Sequence, residues 1–269
     1  MKLAAIDLDG TLLDHSGQIP EKNQDALHAF DEQGGTVVLA TGRSILSVKQ
    51  VFGKLKMNGY VLASNGAYIA RVEQGETTAV LKRFDIPIET IKKTFELAEQ
   101  VGVTIVASRE TQDDRITFDI TPTDVDSPYY AQFHLNDSSA AELLQQVREG
   151  SISYFKLAFN DTNEEKLAKL RELFDQAGIH SVYTDVHWLE VMADGVNKGT
   201  SLTYLAKYLK IDPKRTLAFG DQENDIEMLK VSGIGVAMDN ALEPVKEIAQ
   251  EVTKSNEEAG VAAVLEKYL

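Results

Sequence analysis

Near the start of the chain, in AAIDLDGTLLD, Asp7 and Asp9 stand two residues apart, directly after an apolar run and directly before Gly10. Side chains at i and i+2 of an extended segment point to one side, so extended backbone through Asp9 sets both carboxylates together and turns Leu8 away. Two like charges about 4 Å apart repel by roughly 4 kcal/mol at an effective dielectric near 20. One carboxylate then keeps its proton, the two splay apart, or a cation lies between them. A hard cation such as magnesium suits carboxylate and carbonyl oxygen. Asp-Gly is also a common turn pair, so the stretch taken alone reads equally as a turn.

The elements around the pair decide more than the pair itself. KLAAI has no periodic polar face and reads as a buried strand. PEKNQDALHAFDEQG reads as a helix between Pro20 and Gly34, TVVLA as a strand, SILSVKQVFGKL as a helix and YVLA as a third strand. This alternation argues a doubly wound parallel sheet with helices on both faces. AYIARV and AVLKRF then read as a hairpin around EQGE. Residues 84–185 carry more polar strands (VTIVAS, ITFDI, ISYFKLAF, HSVYT) among amphipathic helices, an α+β pattern of its own. The expectation is an inserted domain over 84–185, entered and left through DIP and TDVH, with residues 1–83 and 186–269 forming the α/β core. The stripe Phe95, Leu97, Ala98 and Val101 reads as helix core facing the inserted sheet. In the returning half WLEVMA, RTLAFGD and IGVAM read as core strands, and ALEPVKEIAQEVT and GVAAVLEKYL as closing helices.

Composition narrows the chemistry. A chain of 269 residues, 43% hydrophobic and 26% charged, has ample material for one large or two ordinary domains. It contains no cysteine, so disulfides, thiolate metal sites and cysteine nucleophiles are excluded. A formal net charge of -15 repels nucleic acid and anionic membrane. It also makes any phosphate site a local exception that needs its own cations. No apolar run is long enough to span a bilayer, and Lys2 is followed at once by the short strand and the aspartate pair rather than a signal sequence. The cytoplasm is the expected location.

In an open parallel sheet, ligands sit beyond the carboxyl ends of the strands. Collected there are Asp7 to Thr11 after KLAAI, Thr41, Gly42 and Arg43 after TVVLA, Ser64 to Gly66 after YVLA, and Asp221, Asn224 and Asp225 after RTLAFG. Lys198 stands near the start of the helix that follows WLEVMA. A solvated loop explains any one of these groups and explains their joint placement poorly. Taken alone, Lys198 reads as a surface lysine, Thr41 or Asn224 as a helix N-cap, and Asp225 as a helix-start residue favoured by the dipole.

Together DLDGT, ATGR, GVNKG and GDQENDIEM resemble the haloacid dehalogenase (HAD) phosphatases, in particular the Cof-like group with a large C2-type cap between the second and third motifs. SNGA and SNEEAGVA are similar to that group as well. The resemblance spans both ends of the chain and leaves the inserted domain without a motif. It implies an aspartyl-phosphate mechanism. Asp7 would be the nucleophile, and Asp9 would protonate the leaving alkoxide and then activate water. Asp7, Asp221 and the Asp9 carbonyl would hold Mg2+, with Asp225 supporting them. Lys198 would face the phosphate and Asp7, while Thr41, Gly42, Asn224 and Leu8 would form the phosphate cradle. Arg43 would meet the substrate or pair with a carboxylate. The implied partner is a small phosphorylated metabolite such as a sugar phosphate, read by the cap as it closes. Arg109, Arg115, Tyr129, Tyr130 and His134 are candidate cap contacts that each read first as surface or core, and His187 and Trp188 read as packing. A phosphomutase shares the core, and transfer rather than release of phosphate would mark it. A receiver-like regulatory module also takes phosphate on aspartate, but Asp9 and the insertion argue against it. The intact Asp7, Asp9, Lys198 and Asp221 argue against a silent metabolite-binding protein.

Overall fold

The computed structural model describes residues 1–118 and 135–269. Tyr129, Tyr130 and His134 lie outside the described residues. Two compact units form: Met1–Lys82 with Val196–Leu269, and Arg83–Gly195.

The chain opens with β1 (Leu3–Ile6), α1 (Glu21–Glu32), β2 (Thr36–Ala40), α2 (Ile45–Leu55) and β3 (Asn58–Ala63), then the strands β4 (Tyr68–Glu73) and β5 (Glu76–Arg83). The second unit follows, with α3 (Ile88–Val101), β6 (Thr104–Ser108), β7 (Asp113–Ile116), β8 (Leu135–Asp137), α4 (Ala140–Arg148), β9 (Lys156–Asn160), α5 (Glu164–Gln176), β10 (Val182–Asp185) and β11 (Trp188–Val191). The return adds α6 (Lys198–Tyr208), β12 (Thr216–Gly220), α7 (Ile226–Val231), β13 (Ile234–Ala237), α8 (Glu243–Ile248), β14 (Glu251–Val252) and α9 (Gly260–Leu265).

The first unit is a doubly wound α/β sheet in the order β14-β13-β12-β1-β2-β3-β4-β5. β1 pairs in parallel with β12 on one side and β2 on the other, Ile6 standing beside Phe219 and Leu39. All four residues of β1 are buried, as an apolar run with no polar face requires. Because β1, β2, β3 and β12 run in parallel, their carboxyl ends meet at one sheet edge. α6 begins where Asn197 caps it, its side-chain oxygen accepting the Thr200 N–H at 2.8 Å.

The second unit is α+β. Among the described residues its sheet runs β10-β11-β9-β6-β7-β8. Ile91, Phe95, Leu97 and Ala98 of α3 join Leu167, Leu170 and Phe174 of α5 in one apolar core, with Val101 packed against it.

Four sequence expectations need correction. WLEVMA, expected in the 186–269 core, contributes β11, which pairs antiparallel with β9 and β10 in the second unit. Its apolar run fits a buried strand of either sheet, and only register with distant strands assigns it. ITFDI was expected as a strand, but β7 is DDRI, with all four residues buried; it shares only Ile116 with ITFDI, Thr117 and Phe118 are not strand, and Asp119 and Ile120 lie outside the described residues. Asp114 and Arg115 in that run pair with Arg109 and Asp137, so their charge does not mark a loop. The end of ALEPVKEIAQEVT is edge strand β14 rather than helix. Finally, the backbone is not extended through Asp9: β1 stops at Ile6 and the chain turns, with the Thr11 and Leu12 N–H groups donating to the Leu8 carbonyl at 3.3 and 3.0 Å. No helix among the described residues is long and apolar enough to cross a membrane.

Candidate active site

The turn after β1 separates the two aspartates. Asp7 is buried, while Asp9 is exposed. Gly10 makes the turn with φ +77°, and a Cβ there would lie 2.3 Å from Asp221 Oδ2. Glycine is therefore required twice, by its left-handed backbone and by the close approach of Asp221. Thr11 is buried beneath them and donates its hydroxyl to Asp221 Oδ1 at 2.7 Å.

Asp221 follows β12 directly, so the β1 and β12 pairing brings two carboxylates from opposite ends of the chain to one place. Asp225 completes the group. Its Oδ2 accepts the backbone N–H of Asp221 at 2.9 Å and of Gln222 at 3.1 Å. Its Oδ1 accepts from Lys198 Nζ at 2.7 Å. Asp225 thus shapes the loop that carries Asp221 and holds the site's ammonium. Lys198, the first residue of α6, also donates to Asp7 Oδ1 at 2.7 Å and is fully buried.

The electrostatics follow from burial. Burial raises the Asp7 pKa well above the carboxylate range; Lys198 opposes this, and Asp225, Asp221 and Asp9 reinforce it. Burial likewise pushes Asp221 up to about 7, with Asp225 adding to the rise and the Thr11 hydroxyl opposing it. Burial works against the Lys198 charge, but Asp225 and Asp7 outweigh it and hold its pKa above the ordinary lysine value.

Asp7, Asp221 and Asp225 each bring a carboxylate oxygen to within 4.8 Å of the others. When all three carboxylates are ionised they outweigh the one ammonium by two negative charges, the deficit a divalent cation neutralises. The donors are all oxygen, which suits a hard cation. The residues present therefore fit a divalent metal. The Asp9 side chain is outside this cluster. It forms a two-pronged ion pair with Arg43, whose Nε donates to Asp9 Oδ2 at 2.8 Å and whose Nη2 contacts Asp9 Oδ1. Of the two roles open to Arg43, the structure displays the carboxylate pair.

The other expected residues stand nearby. Thr41 is buried at the end of β2 and its Oγ1 accepts the Arg43 N–H at 3.1 Å. It is not the cap of α2, because Ser44 takes the N-cap position and Gly42 lies between β2 and that cap. Leu8 buries its side chain in the core, so only its backbone faces the turn. Asn224 is not a helix cap either; its Nδ2 donates to Asn65 Oδ1 at 3.0 Å. Arg109 pairs with buried Asp114, and Arg115 with Asp137. Trp188 is buried in β11, in accord with packing.

The contacts of Thr11 and Asn65 carry no local sequence signal. Both were among the strand-end residues collected above, but a hydroxyl or amide that meets a partner some 210 or 159 residues away is identified only once the strands are paired.

A family model described as haloacid dehalogenase-like hydrolase matches residues 4–265. Phosphatase YwpJ of Bacillus subtilis is 32% identical, the match covering 100% of both chains. The 5-amino-6-(5-phospho-D-ribitylamino)uracil phosphatase YitU of the same organism is 26% identical over 99% of this chain and 97% of that one. A solved haloacid dehalogenase-like hydrolase from B. subtilis superposes with a TM-score of 0.86 at 27% identity, covering 100% of each chain. Matched from the first strand to the last helix, with the acids of both ends brought to one sheet edge, the chain belongs to the haloacid dehalogenase-like hydrolases.

Proposed function

We propose that this protein is a magnesium-dependent phosphatase that hydrolyses small phosphorylated metabolites through an aspartyl-phosphate on Asp7. The hydrolase family and relatives named as phosphatases support the class, a phosphoric monoester hydrolase. The observation that carries the reading is the buried cluster of Asp7, Asp221 and Asp225 around Lys198 at the carboxyl ends of the strands.

Asp7, its Oδ1 held by Lys198, attacks phosphorus, and the P–O bond to the alcohol breaks. Asp9 gives its proton to the departing alkoxide. Asp9 then takes a proton from water, whose oxygen attacks the same phosphorus; phosphate leaves and the Asp7 carboxylate returns. Asp9 must leave its pair with Arg43 to do this, and the released guanidinium is then free to meet the substrate's anionic end. Lys198, Thr41, Gly42, Asn224 and the Leu8 backbone bind the phosphoryl oxygens. Asp7, Asp221 and the Asp9 carbonyl, supported by Asp225, would hold Mg2+, which when bound neutralises charge on the transferring phosphoryl group.

The unit Arg83–Gly195 is proposed as the specificity-determining cap, since no catalytic motif falls within it. The relative named for a phosphoribitylamino-uracil supports an organic phosphate monoester as substrate. A cytoplasmic setting belongs to the same proposal, because such charged esters do not cross membranes unaided.

A screen of phosphate monoesters for released phosphate, with and without magnesium, tests the reading. Transfer to a sugar acceptor is scored in parallel. Metal-dependent release is expected from the parent and none above background from Asp7→Asn, with folding retained because Lys198 keeps Asp225. An Asp7→Asn protein that turns over like the parent would overturn the covalent mechanism.

A further inference from the structure

Three consecutive residues after β3, Ser64, Asn65 and Gly66, have φ angles of 51°, 53° and 91°. Residues with side chains adopt this left-handed region at a cost, and such strain persists only where the surroundings enforce it. Here the surroundings are the segments assigned to phosphate. The Ser64 N–H donates to the Arg43 carbonyl and the Asn65 N–H to the Thr41 carbonyl, both at 2.9 Å. Ser201, one turn into α6 from Lys198, donates its hydroxyl to the Gly66 carbonyl at 2.7 Å. A Cβ on Gly66 would lie 2.6 Å from that Ser201 oxygen, so only glycine permits the contact. Asn224 Nδ2 donates to Asn65 Oδ1 at 3.0 Å. The buried SNG turn is thus tied to the Thr41 loop, the Lys198 helix and the Asn224 turn at once.

We propose that Asn65 is a positioning residue for phosphoryl binding: its carbonyl oxygen orients the Asn224 amide, and its backbone N–H fixes the Thr41 loop. This rests on the phosphatase reading above. An asparagine amide has a donor end and an acceptor end, and only the NH2 end binds an anion. Asn65 Oδ1 takes one hydrogen of the Asn224 NH2 and leaves the second for a phosphoryl oxygen. Asn224 Oδ1 is buried and finds no partner among the described residues, so its own carbonyl does not fix the amide's orientation. Without Asn65 Oδ1, the amide is free to turn its oxygen toward the phosphate, where it repels. Asparagine suits the position because its short polar side chain tolerates left-handed backbone better than most.

Asn65→Gly keeps the left-handed backbone and its N–H while deleting the carbonyl. Two probes are used: orthophosphate binding followed by calorimetry, and hydrolysis of p-nitrophenyl phosphate. Orthophosphate affinity is expected to fall about tenfold, as for a lost hydrogen bond to an anion. KM should rise in parallel, with kcat changed far less. In an Asn224→Ala background, Asn65→Gly is expected to add nothing. Asn65→Ser, which restores a short acceptor, should recover part of the affinity and serves as the test if the glycine variant does not fold. Parent-like phosphate affinity in Asn65→Gly, or a full additional loss in the Asn224→Ala background, overturns the proposal. The calorimetry needs no turnover, so a parent that binds phosphate but releases none from esters counts against the phosphatase reading while this inference is still decided.

Discussion

Lys198 Nζ lies 2.7 Å from Asp7 Oδ1, although 191 positions separate the two residues in the chain. The same nitrogen is 2.7 Å from Asp225 Oδ1, and both carboxylates are buried. The ammonium therefore neutralises part of a charge cluster that would otherwise oppose folding, and under the proposed mechanism it also meets a phosphoryl oxygen.

Removing that ammonium separates its two roles. Lys198→Met leaves Asp7, Asp221 and Asp225 buried without their internal cation. Loss of one partner from a buried ion pair costs about 3–5 kcal/mol, and the variant is expected to lose about that much stability in chelator. Magnesium should restore part of it, since a divalent ion supplies the missing positive charge. Turnover should remain at least 100-fold down at saturating magnesium, the order of loss seen when a transition-state charge donor is deleted. Chemical denaturation with and without the metal, beside phosphate-release assays, checks both parts.

The raised carboxylate pKa values at Asp7 and Asp221 give a stability that depends on pH with a definite sign. Burial sets both shifts, and the Asp221 value reaches about 7. An unfolded aspartate titrates near roughly 3.9. Between the two values the folded state holds more protons than the unfolded state, so metal-free stability falls as pH rises from about 4 through about 7. A bound divalent cation takes the place of those protons. Melting in chelator is therefore expected at lower temperature at pH 8 than at pH 5.5, and saturating magnesium should shrink the difference. Asp221→Asn isolates the group: its melting temperature in chelator should vary less with pH than the parent's. An equal slope in that variant would assign the effect elsewhere.

Gly10→Ala tests the close approach beneath the turn. The added Cβ meets Asp221 Oδ2 at 2.3 Å and forces a φ of +77° on a residue with a side chain. The turn or Asp221 must move. The expected cost is of the order of 1–3 kcal/mol, together with loss of most of the stabilisation by magnesium. A thermal melt with a magnesium titration reads both. An unaltered metal response would mean that Asp221 tolerates the displacement.

How far the sequence displays this arrangement depends on where each contact is decided. β1, β2, β3 and β12 each contain a short apolar run (LAAI, VVLA, YVLA and LAF) followed by polar groups, so the strands and the site at their carboxyl edge are legible from local sequence. Asp7, Asp221 and Lys198 are accordingly brought together as the motifs imply. The partner of Asp9 is not legible: the turn at Gly10 sends its side chain to Arg43, while spacing alone suggests that it lies beside Asp7. β11 reads as a core strand because an apolar run does not state which sheet it joins. β7 is hidden for the opposite reason. Asp114 and Arg115 look like loop residues until their tertiary partners are known.

Asp114 shows what holds that hidden strand. Its carboxylate is buried and accepts from Tyr154 Oη at 2.7 Å, Gln112 Nε2 at 2.7 Å, Arg109 Nε at 2.9 Å and Asn136 Nδ2 at 3.2 Å. Burial alone would raise its pKa, but these donors, Tyr154 and Arg109 foremost, outweigh it and hold the group below the ordinary aspartate value. A depressed pKa contributes stability that is present above the unfolded value and lost as pH falls through the folded one. The loss should therefore appear below about pH 4. Asp114→Ala removes the acceptor from all four donors and leaves the Tyr154 hydroxyl in a buried place without it. A loss of the order of 3 kcal/mol at neutral pH is expected. The amides of β6 and β7 should exchange with deuterium faster, and those of β1 and β12 should keep their protection, because the defect lies in the other unit. Exchange accelerated equally in β1 and β12 would show that the Asp114 network stabilises the whole chain rather than its own sheet.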